Sequence, residues 1–175
     1  WDTKHNLMSV TGFEGDTTSF TRDSRGRVIE TTDARGRLTR QTFDVFGNLR
    51  RQVDGEGAAT EYEYDSRGNI TKTTDPLGNI SRSSFNLYGH ELTSTDALGE
   101  VTSYSHDSLG RRTGTSRTRT LPDGSIETLT TSFGYNAIGK PTTTTDAYGH
   151  TSTVLYNALG KPSRVIAKNG VITTY

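Results

Sequence analysis

One pattern recurs along this chain at a fixed spacing: an aromatic residue, Asp or Asn, two variable residues, then Gly. It stands in full at Tyr64-Asp65-Ser66-Arg67-Gly68 and, 21 residues earlier, at Phe43-Asp44-Val45-Phe46-Gly47. Two further steps back give Arg22-Asp23-Ser24-Arg25-Gly26 and Trp1-Asp2-Thr3-Lys4-His5. Forward steps give Phe85-Asn86-Leu87-Tyr88-Gly89 and His106-Asp107-Ser108-Leu109-Gly110. After a longer gap come Tyr135-Asn136-Ala137-Ile138-Gly139 and Tyr156-Asn157-Ala158-Leu159-Gly160, again 21 apart. A period of this length marks a supersecondary unit that is stable only when stacked on its neighbours.

A second series is interleaved about ten residues after each centre: Asp33 to Gly36, Asp54 to Gly57, Asp75 to Gly78, Asp96 to Gly99 and Asp146 to Gly149. Toward the ends it degrades to Gly12-Phe13-Glu14-Gly15 and Ala167-Lys168-Asn169-Gly170, which keep the glycine and lose the aspartate. Glycine is thus the firmer requirement. Asp or Asn opening a type I turn accepts a bond from the backbone two residues on, and Gly at the fourth position takes the left-handed conformation that is costly for other residues. Pro76 falls where such a turn favours proline.

Two turns per 21 residues leave strands of about five to seven residues, the usual length. The intervening segments are rich in Thr, Val, Ile and Tyr, and an aliphatic residue often lies two after the turn glycine, as at Val28, Leu38, Leu49, Ile70, Ile80, Val101 and Ile172. Tyr62 and Tyr64 flank Glu63, so alternation sets the rings on one face and the charge on the other. Cross-strand stacking along the sheet is the expected use of these tyrosines. The fold class that follows is all-β, an antiparallel up-and-down meander, with residues 1–175 forming a single tandem-repeat array of about eight units.

Composition fits a sheet without a thick apolar core, since hydrophobic residues are 29% of the chain and mean hydropathy is −0.69. Twenty basic residues cancel twenty acidic ones, which gives no nucleic-acid footprint. There is no cysteine, which removes disulfides and thiol chemistry, and no apolar run long enough for a membrane span. No signal-peptide pattern stands at Trp1-Asp2-Thr3-Lys4.

One repeat departs from the period. Between Asp107 and Asn136 lie 29 residues rather than 21, and Leu121-Pro122-Asp123-Gly124-Ser125 supplies the turn. An extended hairpin near 113–132 is expected. Arg111, Arg112, Arg117 and Arg119 flank it, and a solvated, charged strand edge is a better reading than a partner-binding patch.

The pattern aromatic-Asp-x-x-Gly-Arg/Asn-aliphatic, plainest at Tyr64-Asp65-Ser66-Arg67-Gly68-Asn69-Ile70, resembles the Rhs or YD-repeat family over essentially the whole chain. The family includes bacterial polymorphic toxins, the B and C subunits of insecticidal toxin complexes, wall-associated bacterial proteins and teneurins. What the resemblance implies is a curved or spiralling sheet, a segment of a hollow β-shell that in the toxin members encloses a toxic C-terminal domain. It further implies that the partners are flanking repeats of a longer chain and an enclosed toxin domain. Localisation would be secreted, at the cell surface or delivered by a secretion system. Sixteen strands would make a ribbon of roughly 75 Å, too short to close around a folded cargo. Trp1 falls inside a repeat centre and Tyr175 inside a strand, so both ends look cut from a longer array.

Catalytic chemistry finds no footing. His5, His90, His106 and His150 are far apart in sequence, with no pair at metal-ligand spacing, and each falls at a repeat position. The recurrent aspartates are turn-makers rather than calcium ligands, so no metal, cofactor or catalytic residue is expected. Some family members cut themselves at Asp-Pro-x-Gly pairs after the repeats. Here Asp75-Pro76-Leu77-Gly78 stands alone and in the second-turn register, which makes it a turn. Asn69-Ile70-Thr71 and Asn79-Ile80-Ser81 match the glycosylation pattern, a coincidence expected in a chain so rich in Asn, Ser and Thr. The alternative to a toxin-enclosing shell is a cell-surface or wall-associated array that binds carbohydrate or a protein through exposed tyrosines, for which the sequence offers no specific support.

Overall fold

The computed structural model describes residues 1–175 and contains sixteen β-strands and no helix. Two compact units are present, Trp1–Arg82 and Ser83–Tyr175. The first holds β1 (Ser9–Thr11), β2 (Thr17–Arg22), β3 (Val28–Thr32), β4 (Leu38–Phe43), β5 (Leu49–Val53), β6 (Ala59–Tyr64), β7 (Ile70–Thr74) and the start of β8 (Ile80–Phe85). The second holds the end of β8, then β9 (Glu91–Thr95), β10 (Val101–His106), β11 (Arg112–Thr120), β12 (Ile126–Tyr135), β13 (Pro141–Thr145), β14 (Thr151–Tyr156), β15 (Pro162–Ile166) and β16 (Ile172–Thr174).

Within each unit strand order follows chain order and every recorded pairing is antiparallel, as at Glu61↔Thr74 and Thr143↔Thr153. This is the all-β meander that the spacing implies. Fifteen glycines have positive φ, among them Gly68 at 86° and Gly78 at 83°, and His5 at 63° stands where the first centre lacks its glycine.

The two hairpin series differ in a way their similar sequences hide. Hairpins closed by a repeat centre carry a β-bulge: Glu63 faces Lys72 but Tyr64 faces Ile70, which leaves Thr71 unopposed. The same shift recurs at Thr21/Arg22, Thr42/Phe43, Ser105/His106, Gly134/Tyr135 and Leu155/Tyr156. Second-series hairpins such as β5–β6 run in register, Arg51↔Glu61 to Val53↔Ala59, with no such shift. A bulge re-aims the side chain beside it, and here that side chain is always the repeat-centre residue.

No hydrophobic residue is buried, and Gly114 alone in the chain falls in the buried class. The chain exposes 12043 Å², whereas a compact protein of 19.2 kDa exposes about 8,400 Å² by surface scaling. Each unit is therefore a single layer, wetted on both faces. Its cohesion comes from backbone ladders and cross-strand pairs rather than from a core. On one face of the first unit these pairs are ionic: Arg40–Glu30 at 3.0 Å, Arg51–Glu61 at 3.2 Å and Lys72–Glu63 at 2.8 Å. Hydroxyl pairs do the same work elsewhere, as between Thr145 and Thr151 at 2.8 Å.

Candidate functional site: a ladder of turns

The most ordered polar chemistry lies in the turns. At Asp65 the backbone N–H donates to the Asn69 carbonyl at 3.0 Å, and the Gly68 N–H donates to the Asp65 carbonyl at 3.1 Å. Its Oδ1 accepts from the N–H groups of Arg67 at 2.9 Å and Asn69 at 3.0 Å, and its Oδ2 from the Asn69 side-chain amide at 2.9 Å. Asp2, Asp44 and Asp75 are held alike by Asn6, Asn48 and Asn79. At Asp23, Asp33 and Asp107 the Nε atoms of Arg27, Arg37 and Arg111 take the amide's place, at 2.8, 2.7 and 2.6 Å. In these seven turns the fifth residue, Asn or Arg, is thus a clamp on the second carboxylate oxygen.

Bonding to the ionised form lowers a carboxyl pKa. The Asn69 amide, then its backbone N–H, holds Asp65 below the ordinary carboxylate value. At Asp107 burial opposes ionisation, yet the backbone and side-chain bonds from Arg111 outweigh it and the pKa falls. Asp146 goes furthest, to about 2, chiefly through the hydrogen bond from Lys168. These carboxylates are fixed anions rather than proton carriers.

The clamp has a second contact. Arg27 lies over the Phe43 ring at 4.3 Å, Arg111 over Tyr135 at 4.8 Å, and the Lys140 ammonium 5.4 Å from the Tyr156 ring. Each ring belongs to the next repeat. Arg111 also donates to the Asn136 carbonyl at 3.2 Å, and Lys140 to the carbonyl of Gly160. Every such clamp ties its own turn to the next one, the nearest-neighbour coupling by which repeat arrays cohere.

The cross-strand stacking expected of tyrosines takes the form of cation on ring at Tyr104, Tyr135 and Tyr156. Successive repeat aromatics stand two strands apart, roughly 10 Å at ordinary strand spacing, which is too far for ring contact. At Phe43, Tyr135 and Tyr156 a cation from the intervening turn covers the ring instead. Tyr104 likewise is covered by Arg112 at 4.0 Å.

The flanking arginines of the long hairpin are all engaged, Arg117 with Glu100 and Arg119 with Glu127 at 2.6 Å, in addition to Arg111 and Arg112 above. His90 and His106, distant in sequence, are brought together at 5.1 Å with rings 24° from parallel, and the Nδ1 of His106 is buried without a partner. They occupy the clamp and ring positions of one rung. His150 approaches Asp146 at 3.3 Å, and no three acidic or histidine side chains converge on a point. Asn69 and Asn79 spend their amides on the turn aspartates. The clamp positions were legible as the Asn or Arg that follows several of the turn glycines. Asking what bonds the second carboxylate oxygen would have singled them out.

A family model described as RHS Repeat matches residues 1–38, 43–80 and 85–126, about two thirds of the chain. Each match begins on a repeat-centre aromatic, Trp1, Phe43 or Phe85, so one copy of that model spans two of the 21-residue units. No curated protein matches. Similar solved structures include the TcdB2-TccC3-Cdc42 complex, with 14% identity and a TM-score of 0.47 over 91% of this chain. TcdB2-TccC3 without its hypervariable C-terminal region gives 14% and 0.48 over 92%. The Tc holotoxin pore of Photorhabdus luminescens gives 15% and 0.47 over 98%. This chain spans 12% of the length of each of those chains.

Proposed function

The chain belongs to the RHS repeat family, and from that premise we propose that it is a non-catalytic wall segment of a shell that encloses a toxin domain and helps deliver it. One observation carries the reading: the sheet has no buried hydrophobic residue and two wet faces, yet its turns and pairs satisfy one another from repeat to repeat. A wall around a polar chamber needs that combination, because neither face has a second layer to lean on. The turn residues then have a constructional role, and the chemistry of delivery belongs to the enclosed domain. Flanking repeats would be the immediate partners, in a secreted toxin assembly.

The test is protection. The parent protein, with its flanking repeats, is treated with protease and imaged by electron microscopy. A hollow particle with internal density, and a fragment resistant to digestion until the particle is opened by denaturant, is the expected result. A solid stacked sheet, or immediate digestion of everything outside the repeats, would sink the proposal.

A further inference from the structure

We infer that the outer edge of β12, from Ile126 to Thr130, docks on the same edge of a second copy of this chain, paired antiparallel about Thr128. The eight extra residues make β11 and β12 nine and ten residues long, against six and five for their outer neighbours β10 and β13. Pairing of β12 with β13 stops at Ser132↔Thr145, where β13 turns at Asp146, whereas pairing with β11 runs on to Thr120↔Ile126. Ile126 to Thr130 therefore has a partner on one side only.

The free groups can be named. The Leu121 N–H donates to the Ser125 carbonyl at 2.8 Å, so bonded antiparallel pairs alternate from there to Arg119↔Glu127 and Arg117↔Leu129. The N–H and C=O groups of Ile126, Thr128 and Thr130 point away from β11, and all three residues are exposed. Natural edges are guarded by Lys, Pro, bulges or extreme shortness. This one has none of these, and its single charge, Glu127, is already paired with Arg119 at 2.6 Å.

A second copy fits better than an unrelated strand for two reasons. The Asp146 turn blocks the edge beyond Thr131, so an incoming strand must itself turn there, and β12 does turn, at Leu121 to Ser125. Antiparallel pairing about Thr128 also sets Ile126 opposite Thr130 and Glu127 opposite Leu129, with no like charges facing. The overlap is about 17 Å of strand.

Sedimentation of the 175-residue chain over a concentration series tests this. The expected result is a concentration-dependent dimer that Thr128→Pro abolishes and Thr128→Val keeps, since proline removes an N–H that β11 does not use. Should the proline variant lose its far-UV strand signal, hydrogen exchange on the unmodified chain decides. The Thr128 and Thr130 amides should slow as concentration rises, while those of Glu127 and Leu129 do not change. A monomer up to roughly 1 mM, or a dimer that survives Thr128→Pro with those two amides still fast, overturns the inference. So does saturable binding of an unrelated extended peptide at this edge by a chain that never dimerises.

Discussion

The phenolic oxygen of Tyr64 lies 2.7 Å from the carbonyl oxygen of Leu49, fifteen residues earlier. Pairing of β5 with β6 ends at Arg51↔Glu61, so on that side Leu49 has no ladder partner. The phenol closes the gap. Tyr156 does the same for Pro141 and Tyr135 for Arg112, both at 2.7 Å, the latter across eight additional residues. Where the first position is Arg22, its guanidinium donates to the Leu7 carbonyl at 3.2 and 3.3 Å. At Tyr135 and Tyr156 the aromatic of the repeat is therefore both a ring for the preceding cation and a donor for an orphaned carbonyl.

Tyr64→Phe should cost about 1 kcal/mol, the net value of one intramolecular hydrogen bond. Urea unfolding of the two proteins measures it. Because Phe43 and Phe85 already stand at this position, the fold should survive, and an unchanged midpoint would show that water replaces the phenol at no cost.

Gly68→Ala forces a side chain into φ of 86° and should cost about 1–2 kcal/mol. Gly68→Asn should cost less, since Asn tolerates that region. Equal losses for the two would count against a backbone origin, since the nearest neighbour of a new Cβ, the Asn48 Oδ1 at 3.7 Å, stands at ordinary van der Waals distance.

Arg27 and Phe43 should be energetically coupled. A double-mutant cycle of Arg27→Ala and Phe43→Ala is expected to give about 0.5–1 kcal/mol, the range for exposed cation–π pairs. Simple additivity would reduce the ladder to coincidence of position.

Acid should loosen the array. Asp2, Asp23, Asp33, Asp44, Asp65, Asp75, Asp107, Asp123 and Asp146 all have folded pKa values below the ordinary one. A depressed folded pKa contributes stability above the unfolded value, near 3.8, that is lost as pH falls through the folded value, which for Asp146 is about 2. Circular dichroism melts should therefore be flat down to about pH 4 and fall steeply below it. Asp65→Asn should flatten that fall slightly and keep the turn, as Asn86, Asn136 and Asn157 do in their own repeats.

Calorimetry should register the missing core. With no hydrophobic residue buried, the heat-capacity change of unfolding should lie below the usual 12–15 cal/mol/K per residue, by about a third or more. A value inside the usual range would mean that the chain buries apolar surface by associating.

Everything that depends on a few consecutive residues could be read from the chain alone. The Asp or Asn and Gly of each turn act within five positions, so their spacing dictated hairpins, strand lengths and an antiparallel meander. Even the long hairpin could be read from Leu121-Pro122-Asp123-Gly124. What meets across fifteen to twenty-five residues came only with the paired strands: Tyr64 with Leu49, Arg27 with Phe43, His90 with His106, and the open edge of β12 beyond Thr145. Those pairings depend on strand register and on a bulge in one hairpin series but not the other. Register is set by how neighbouring hairpins stack, which no single repeat contains.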